Sequence, residues 1–449
     1  MKRMKKRTST GFSLASRFNS TKLLILMLVV TITITVESQI GIVADFIPNQ
    51  LSSAGGIAAY IAIAIIFAVT QYFVLSYIKQ SNKDTRARAL YLDMTQIAVS
   101  IAQYVLAGIL AFIIFQILAT QQYNLATLYV TYAISYGLWI VTLSLLARAF
   151  FSWYRSYNKS VLVLILAFSM MAYVINGVTW AAASFAMLTQ QKPVITSEDV
   201  AYFPEFSSTS PVSQIQTAAQ IASAVAYVLS WIATVMLLRP YITKLGRIKF
   251  WTIMSAAMLY YLIQFPLFVL GYYTPSENVD AMTNILIGSF APVLTGIIFG
   301  AAFLSVARIL QVGSNVRNHM IIAAYGFLLF YIAGSATASQ AAYPPFGLAS
   351  VAFTGLSCYL IYTGLYSSAV IVSQDTSLRK SIKRSVNEQS KLLDSIGTAH
   401  MEQELQSRVL TIAKKHSDMI TEKTGVEASM TENDMKEYIE MVTKEIHNS

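Results

Sequence analysis

Seven residues lying inside apolar runs have the types and spacing of a binding site. Tyr129, Tyr132, Tyr136 and Trp139 recur at i, i+3, i+7 and i+10, one face of a helix. On the next run Tyr173, Asn176 and Trp180 recur at i, i+3 and i+7. Aromatic rings with a few hydrogen-bonding groups could line an intramembrane pocket for a small neutral or amphipathic ligand. Interhelical packing is the simpler reading of the same residues, with hydroxyls and amides bonding across a bundle. Asn176 sits near the middle of its run, where an unsatisfied amide in hydrocarbon costs several kcal/mol. It is therefore expected to face other helices, with the Tyr129–Trp139 face as its neighbour. Gln96, Ser100 and Gln103 share a face of an earlier run, and Tyr359, Tyr362 and Tyr366 mark the last.

Other chemistry has little to work with. Apart from Glu37, no Asp, Glu, Lys, Arg or His falls within the apolar runs. Ion-coupled carriers, pumps and voltage sensors use intramembrane ionisable groups, and intramembrane hydrolases need carboxylate or histidine ligands. Both classes lose ground. The segment Asp84-Thr-Arg-Ala-Arg88 followed by Asp93 is similar to the Asp-x-x-Ala-Arg core of phospholipid head-group transferases. The further aspartates that would hold metal on a pyrophosphate are missing, so a charged loop is expected. Cys358, the single cysteine, lies in the last apolar run and is expected to be an inert packing residue. His400 and His416 lack metal spacing and are expected to be exposed on a helix. We therefore expect no enzyme, no cofactor and no metal site.

The elements that must hold these residues are helices in a membrane. Of 449 residues 55% are apolar and only 12% charged, about half the charge a soluble surface of this size carries. The apolar runs are Leu23–Val43, Ala54–Ile78, Met94–Ala119, Leu125–Leu146, Val161–Leu188, Ala218–Leu238, Phe250–Tyr272, Ile285–Val306, Met320–Ala338 and Gly347–Val372. Each approaches or exceeds the roughly 20 residues that cross a bilayer as a helix. This predicts an all-α polytopic transmembrane bundle of about ten spans. It divides into a basic N-terminus (1–22), the bundle (23–372) and a short helical cytoplasmic tail (373–449). Gly296 with Gly300, and more loosely Gly334 with Ala338, predict close helix packing. Pro266 and Pro292 predict kinks.

Loop charge sets the orientation. Segments on the side of the N-terminus carry Lys2, Arg3, Lys5, Lys6, Arg7, Arg17 and Lys22, then Lys79, Lys83, Arg86 and Arg88, then Arg148, Arg155 and Lys159. Arg239, Lys244, Arg247 and Lys249 follow, then Arg308 and Arg317. The opposite loops hold one basic residue, Lys192, among Glu198, Asp199, Glu205, Glu277 and Asp280. Positive segments remain inside, which places both termini in the cytoplasm. The net charge of +10 is spread over these short loops and gives no nucleic-acid face. The first run has a basic start and a short clean core, Leu23 to Val36, and is read as an uncleaved signal-anchor with Glu37 near its outer end.

In the tail, Leu378, Ile382 and Val386 predict a helix continuing from, or soon after, the last span. Gly397 is read as an interruption. Met401, Leu405, Val409, Ile412 and Ile420 then mark an amphipathic helix with Glu404 four residues before Arg408. Beyond Gly425, Thr431 with Asp434 opens a third, with Met435, Tyr438, Ile439, Val442 and Ile446 on one face. Such faces fit self-association or a cytoplasmic protein partner through residues 398–449. The join Leu365-Tyr-Ser-Ser-Ala-Val-Ile-Val-Ser-Gln-Asp-Thr-Ser-Leu-Arg-Lys380, continuing to Leu393-Asp-Ser-Ile-Gly-Thr398, resembles uncharacterised multi-span membrane proteins of ammonia-oxidising archaea. The resemblance covers the last third of the chain and implies a prokaryotic cell membrane, with no activity attached. The expected function is a non-catalytic sensor, signalling or scaffold protein; the alternative is a carrier or channel for a small uncharged solute.

Overall fold

The computed structural model describes residues 20–43, 52–82, 90–156, 160–197, 210–256, 258, 281–310, 314–334, 342–375, 378–379, 382 and 388–424. Its long elements are helices, as hydrocarbon demands of a chain that must bond its own backbone. In chain order they are α1 (Ser20–Val43), α2 (Ala54–Ser81), α3 (Leu90–Thr120), α4 (Leu125–Ser156), α5 (Val161–Leu188) and α6 (Pro211–Leu238). A 3₁₀ turn (Arg239–Tyr241) and one helical turn (Ile242–Leu245) lead to α7 (247–256). Then come α8 (Ala281–Ile309), α9 (Asn315–Gly334), α10 (Leu348–Gln374) and the tail helix α11 (Glu388–Thr424).

Among the described residues, eight helices are long and apolar enough to cross a bilayer: α2 to α6, the Pro292–Ile309 part of α8, α9 and α10. The chain is an integral, multi-pass membrane protein. α1 carries a shorter apolar stretch, Met27–Glu37. The rest of the expected seventh span, like Gly425 and the helix expected beyond it, lies outside the described residues.

Two short strands join connections at one end of the bundle. β1 (Gln122–Asn124) pairs antiparallel with β2 (Val194–Thr196), with Tyr123 opposite Ile195. The α3–α4 and α5–α6 connections thus meet at one end, here the ribbon end; α11 lies at the other, the tail end. Asn124 ends the strand and starts α4, its Oδ1 accepting from the Ala126 amide at 2.8 Å. Ser53 and Ser210 cap α2 and α6 in the same way, with Pro211 at the first helical position.

One helix sits inside the others. α10 contacts α1, α2, α3, α4, α9 and α11, and its apolar window is buried along its whole length. A helix apolar on all sides and enclosed on all sides is the expected pairing. Small residues allow the approach. A Cβ on Gly326 would stand 2.7 Å from the Ile361 amide nitrogen, and one on Gly364 would stand 2.5 Å from that of Ala323, so α9 and α10 pack nearly backbone to backbone. Gly296 and Gly300 do the same for α8 against α9, where added Cβ atoms would meet the Leu328 and Ala324 carbonyl oxygens at 2.8 Å. Gly334 meets nothing within 4 Å among the described residues, and Ala338 lies outside them.

Candidate functional site

The α4 stripe and the α5 residues meet, though differently from expectation. Trp139 lies against Gly177, where an added Cβ would be 3.2 Å from its indole. Tyr136 Oη and Ser184 Oγ are hydrogen-bonded at 3.1 Å, and Tyr129 stacks on Phe185 with ring centroids 5.9 Å apart. Gly177 and Ser184 are seven residues apart, one helical face. Asn176 and Trp180 lie roughly 50–90° further round and look at α6 instead. Ser223 Oγ donates to Asn176 Oδ1 at 2.6 Å and accepts from Trp180 Nε1 at 3.0 Å. Asn176 is buried between helices, as its depth required, but its neighbour is α6 and not the α4 stripe. The direction is set by Gly177, the only residue without a side chain on that turn, which takes the bulk of Trp139.

A second polar chain runs beside it. Ser230 Oγ donates to Tyr173 Oη at 2.8 Å and shares a 2.5 Å contact with Ser169 Oγ, while Tyr173 Oη also bonds Tyr331 Oη on α9. Phe330 joins the two groups, its ring edge-on to Trp139 at 5.0 Å and to Tyr173 at 5.1 Å. Tyr132, Tyr136 and Trp139 stack in sequence along α4. The seven residues lie in an aromatic and hydroxyl layer linking α4, α5, α6 and α9. Asn176→Leu removes one interhelical bond and should lower stability by about 0.6–2 kcal/mol, read by unfolding in detergent, with insertion unchanged.

Three features escaped the sequence. The first is the partner of Glu37. α10 begins at Gly347, whose φ of 91° and lack of a side chain leave the helix start without its own cap. Glu37 supplies it from α1: Oε1 accepts from the Gly347 and Ala349 amides at 3.0 and 3.1 Å, and Oε2 from the Ser350 amide at 2.7 Å and hydroxyl at 2.5 Å. Four donors and the positive end of a helix hold one buried carboxylate. Met27, Val30, Ile34 and Glu37, all buried, form the inward face of α1. The available signal was the lone acid itself, since an acid at that depth must have a partner.

The second lies near the tail end. His319 opens α9 one residue before the run counted from hydropathy. It is fully buried, with Nδ1 2.7 Å from the Asn315 carbonyl and Nε2 2.8 Å from the Asn82 side chain. The carbonyl requires Nδ1 to donate, so a neutral ring must accept at Nε2. Turning the Asn82 amide so that Nδ2 faces His319 gives that donor, and Ser367 Oγ, 3.4 Å from the same position, can accept the other amide hydrogen. This bond network joins α2, α9 and α10.

The third is the docking of the tail. Of the helix expected after the last span, Leu378, Arg379 and Ile382 are helical, with Asp375 Oδ1 accepting from the Leu378 amide at 2.9 Å, and Val386 lies outside the described residues. Gly397, however, does not interrupt: α11 runs through it. Its Cβ position is 2.3 Å from Val372 Cγ1, so glycine is there to let α11 touch α10. Leu392, Leu393, Ile396 and Ala399 are buried. His400 is half-buried rather than exposed, packed edge-on to Tyr366 at 5.6 Å and Trp153 at 6.2 Å. Burial pushes its imidazole below the usual range, against the pull of the Glu404 charge. His416 is exposed, as expected. Gln403 Nε2 donates to Ser156 Oγ at 2.9 Å and also to Ser152 Oγ, which fastens α11 to the end of α4.

Cys358 is buried, in keeping with a packing role. Comparison with protein-family models, with curated proteins and with solved structures finds no match.

Proposed function

We propose that the chain is a non-catalytic sensor or signalling protein of the cell membrane in which α10 carries a change in the bundle to the tail. One observation carries this reading. α11 is seated on the end of the enclosed helix through Gly397 and Val372, yet its far half presents Leu405, Val409, Ile412 and Met419 on an exposed face. Spacings of four, three and seven residues make these one stripe, flanked by the exposed Glu404–Arg408 pair. A helix held to the core at one end and apolar toward water at the other suits a relay to a protein partner or to a second copy of the chain. Deleting residues 398–449 should abolish recovery of that partner with the chain from membranes. Unchanged recovery sinks the reading.

The relay needs the tail in the cytoplasm, as loop charge argues, and the resemblance at the join supports a prokaryotic cell membrane. Lys192→Cys, exposed at the ribbon end, should react with a membrane-impermeant maleimide on intact cells. Lys415→Cys, exposed on α11, should react only after permeabilisation; the reverse pattern would invert the protein.

A carrier or channel for a small uncharged solute is the second reading. It is favoured by the glutamines Gln71, Gln96 and Gln103, whose buried side-chain oxygens have no hydrogen-bond partner among the described residues. Solute uptake into vesicles that falls with Gln103→Leu would move the assignment to it.

A further inference from the structure

The ribbon end gathers tyrosines from four separate parts of the chain. We propose that Tyr60, Tyr123, Tyr132 and Tyr343 form a binding site for a small uncharged molecule that both donates and accepts hydrogen bonds, such as a short alcohol or amide. Tyr60 comes from α2, Tyr123 from β1, Tyr132 from α4 and Tyr343 from the segment leading into α10, and none is more than 6% exposed. Tyr123 is the hub. Its ring stacks on Tyr343 at 6.4 Å with 16° between planes, and its hydroxyl donates to the Ala342 carbonyl at 2.7 Å. Tyr60 stands edge-on to Phe346, three residues beyond Tyr343, with ring centroids 5.6 Å apart, and Tyr132 lies on α4, the helix that β1 leads into.

The hydroxyls of Tyr60, Tyr132 and Tyr343 are buried and have no hydrogen-bond partner among the described residues. A phenol carries one donor and an acceptor, and hiding both without a bond is costly enough that native interiors avoid it. Three such groups at the ribbon end are polar groups held ready for a shared guest. Neighbouring charge selects its class. The Glu37 carboxylate caps Gly347, next to the Phe346 ring on which Tyr60 packs, and disfavours an anion. Its carboxylate oxygens already accept four hydrogen bonds from Gly347, Ala349 and Ser350, so it does not call for a cation either. A neutral molecule with both hydrogen-bonding senses is what remains. The site includes Tyr132, the only one of the seven sequence-derived pocket residues to take part.

Taken as the input of the proposed sensor, which is how this site would matter to the cell, it adjoins the capped end of α10 while the tail holds the other end. The test separates the two ideas. The full chain in lipid nanodiscs is unfolded thermally in rising glycerol or acetamide, with tetramethylammonium chloride and sodium acetate as charged comparisons. The neutral probes should raise the midpoint saturably and the salts should not. Tyr60→Phe, Tyr132→Phe and Tyr343→Phe should each need about tenfold more probe for the same shift, while Tyr72→Phe, exposed on the outer side of α2, should behave as the parent. No saturable shift, a shift kept by all three variants, or electron density for ordered water only in the presence of probe overturns the site. So do Phe variants that are more stable than the parent without probe, since that is the mark of hydroxyls buried for nothing. A fluorophore on Ile412→Cys reports the tail in the same samples. Binding without a change there leaves the site standing and removes the sensor reading; a tail that meets its own tests without binding does the opposite.

Discussion

Glu37→Ala should lower the stability of the bundle by about 3–5 kcal/mol, the cost of removing one side of a buried charged contact. Three backbone amides at the start of α10 and the Ser350 hydroxyl lose their acceptor together. Gly347 has no side chain with which to replace it, and α1 loses its bond to the enclosed helix. Glu37→Gln keeps one oxygen but turns an amide donor toward groups that are themselves donors, so an intermediate loss of about 1–3 kcal/mol is expected. Ser350→Ala removes one of the four bonds and should be the mildest. Because Glu37 and Ser350 touch, their double variant should cost less than the sum of the singles. Unfolding in mixed micelles measures all four. A Glu37→Ala chain within about 1 kcal/mol of the parent, inside the spread of ordinary surface changes, would mean that the cap is not formed.

That contact also marks where sequence reading stops. The helices were legible because bilayer thickness and backbone bonding leave few alternatives for a long uncharged run. The need for a Glu37 partner was legible too, but the partner was not. A helix N-terminus offers backbone amides, and in the sequence it appears only as Gly347 followed by Leu348. Asn176 shows the same division. Its burial followed from depth, whereas its choice of α6 over α4 depended on Gly177 and the bulk of Trp139, and helical spacing alone does not rank neighbours. His319 was passed over because it stands one residue outside the hydropathy run while its ring points into the protein. Gly397 and His400 were misread for one reason. The tail is polar in composition, so a glycine looked like a breaker and a histidine looked exposed, whereas a membrane helix offers the tail an apolar end to sit on. The Tyr60–Tyr343 cluster joins residues 283 positions apart in the chain, a distance no local pattern spans.

The tail contact gives the other large effect, and its sign is informative. In a free helix, Gly397→Ala should increase helicity, since alanine favours a helix over glycine by about 1 kcal/mol. In the docked helix the new Cβ would stand 2.3 Å from Val372 Cγ1 and 2.8 Å from its Cβ, closer than unbonded carbons come. Overpacking of this kind costs about 1–3 kcal/mol, and Gly397→Leu should exceed that and lift α11 from α10. The Gln403 bonds to Ser152 and Ser156 and the His400 packing on Trp153 and Tyr366 go with it, as all lie within six residues of the clash. Cysteines at Ser152 and Gln403, in a Cys358→Ala background, should form a disulfide readily in the parent and poorly in Gly397→Leu. Val372→Ala, which removes the nearest atom, should restore part of the cross-link to Gly397→Ala and less to Gly397→Leu. If Gly397→Leu cross-links as well as the parent, α11 is not held at this point, and α10 has no route to the tail. If cross-linking fails while binding of the partner to residues 398–449 persists or strengthens, the docked helix is a restraint on the output face, and release from α10 is the signalling step.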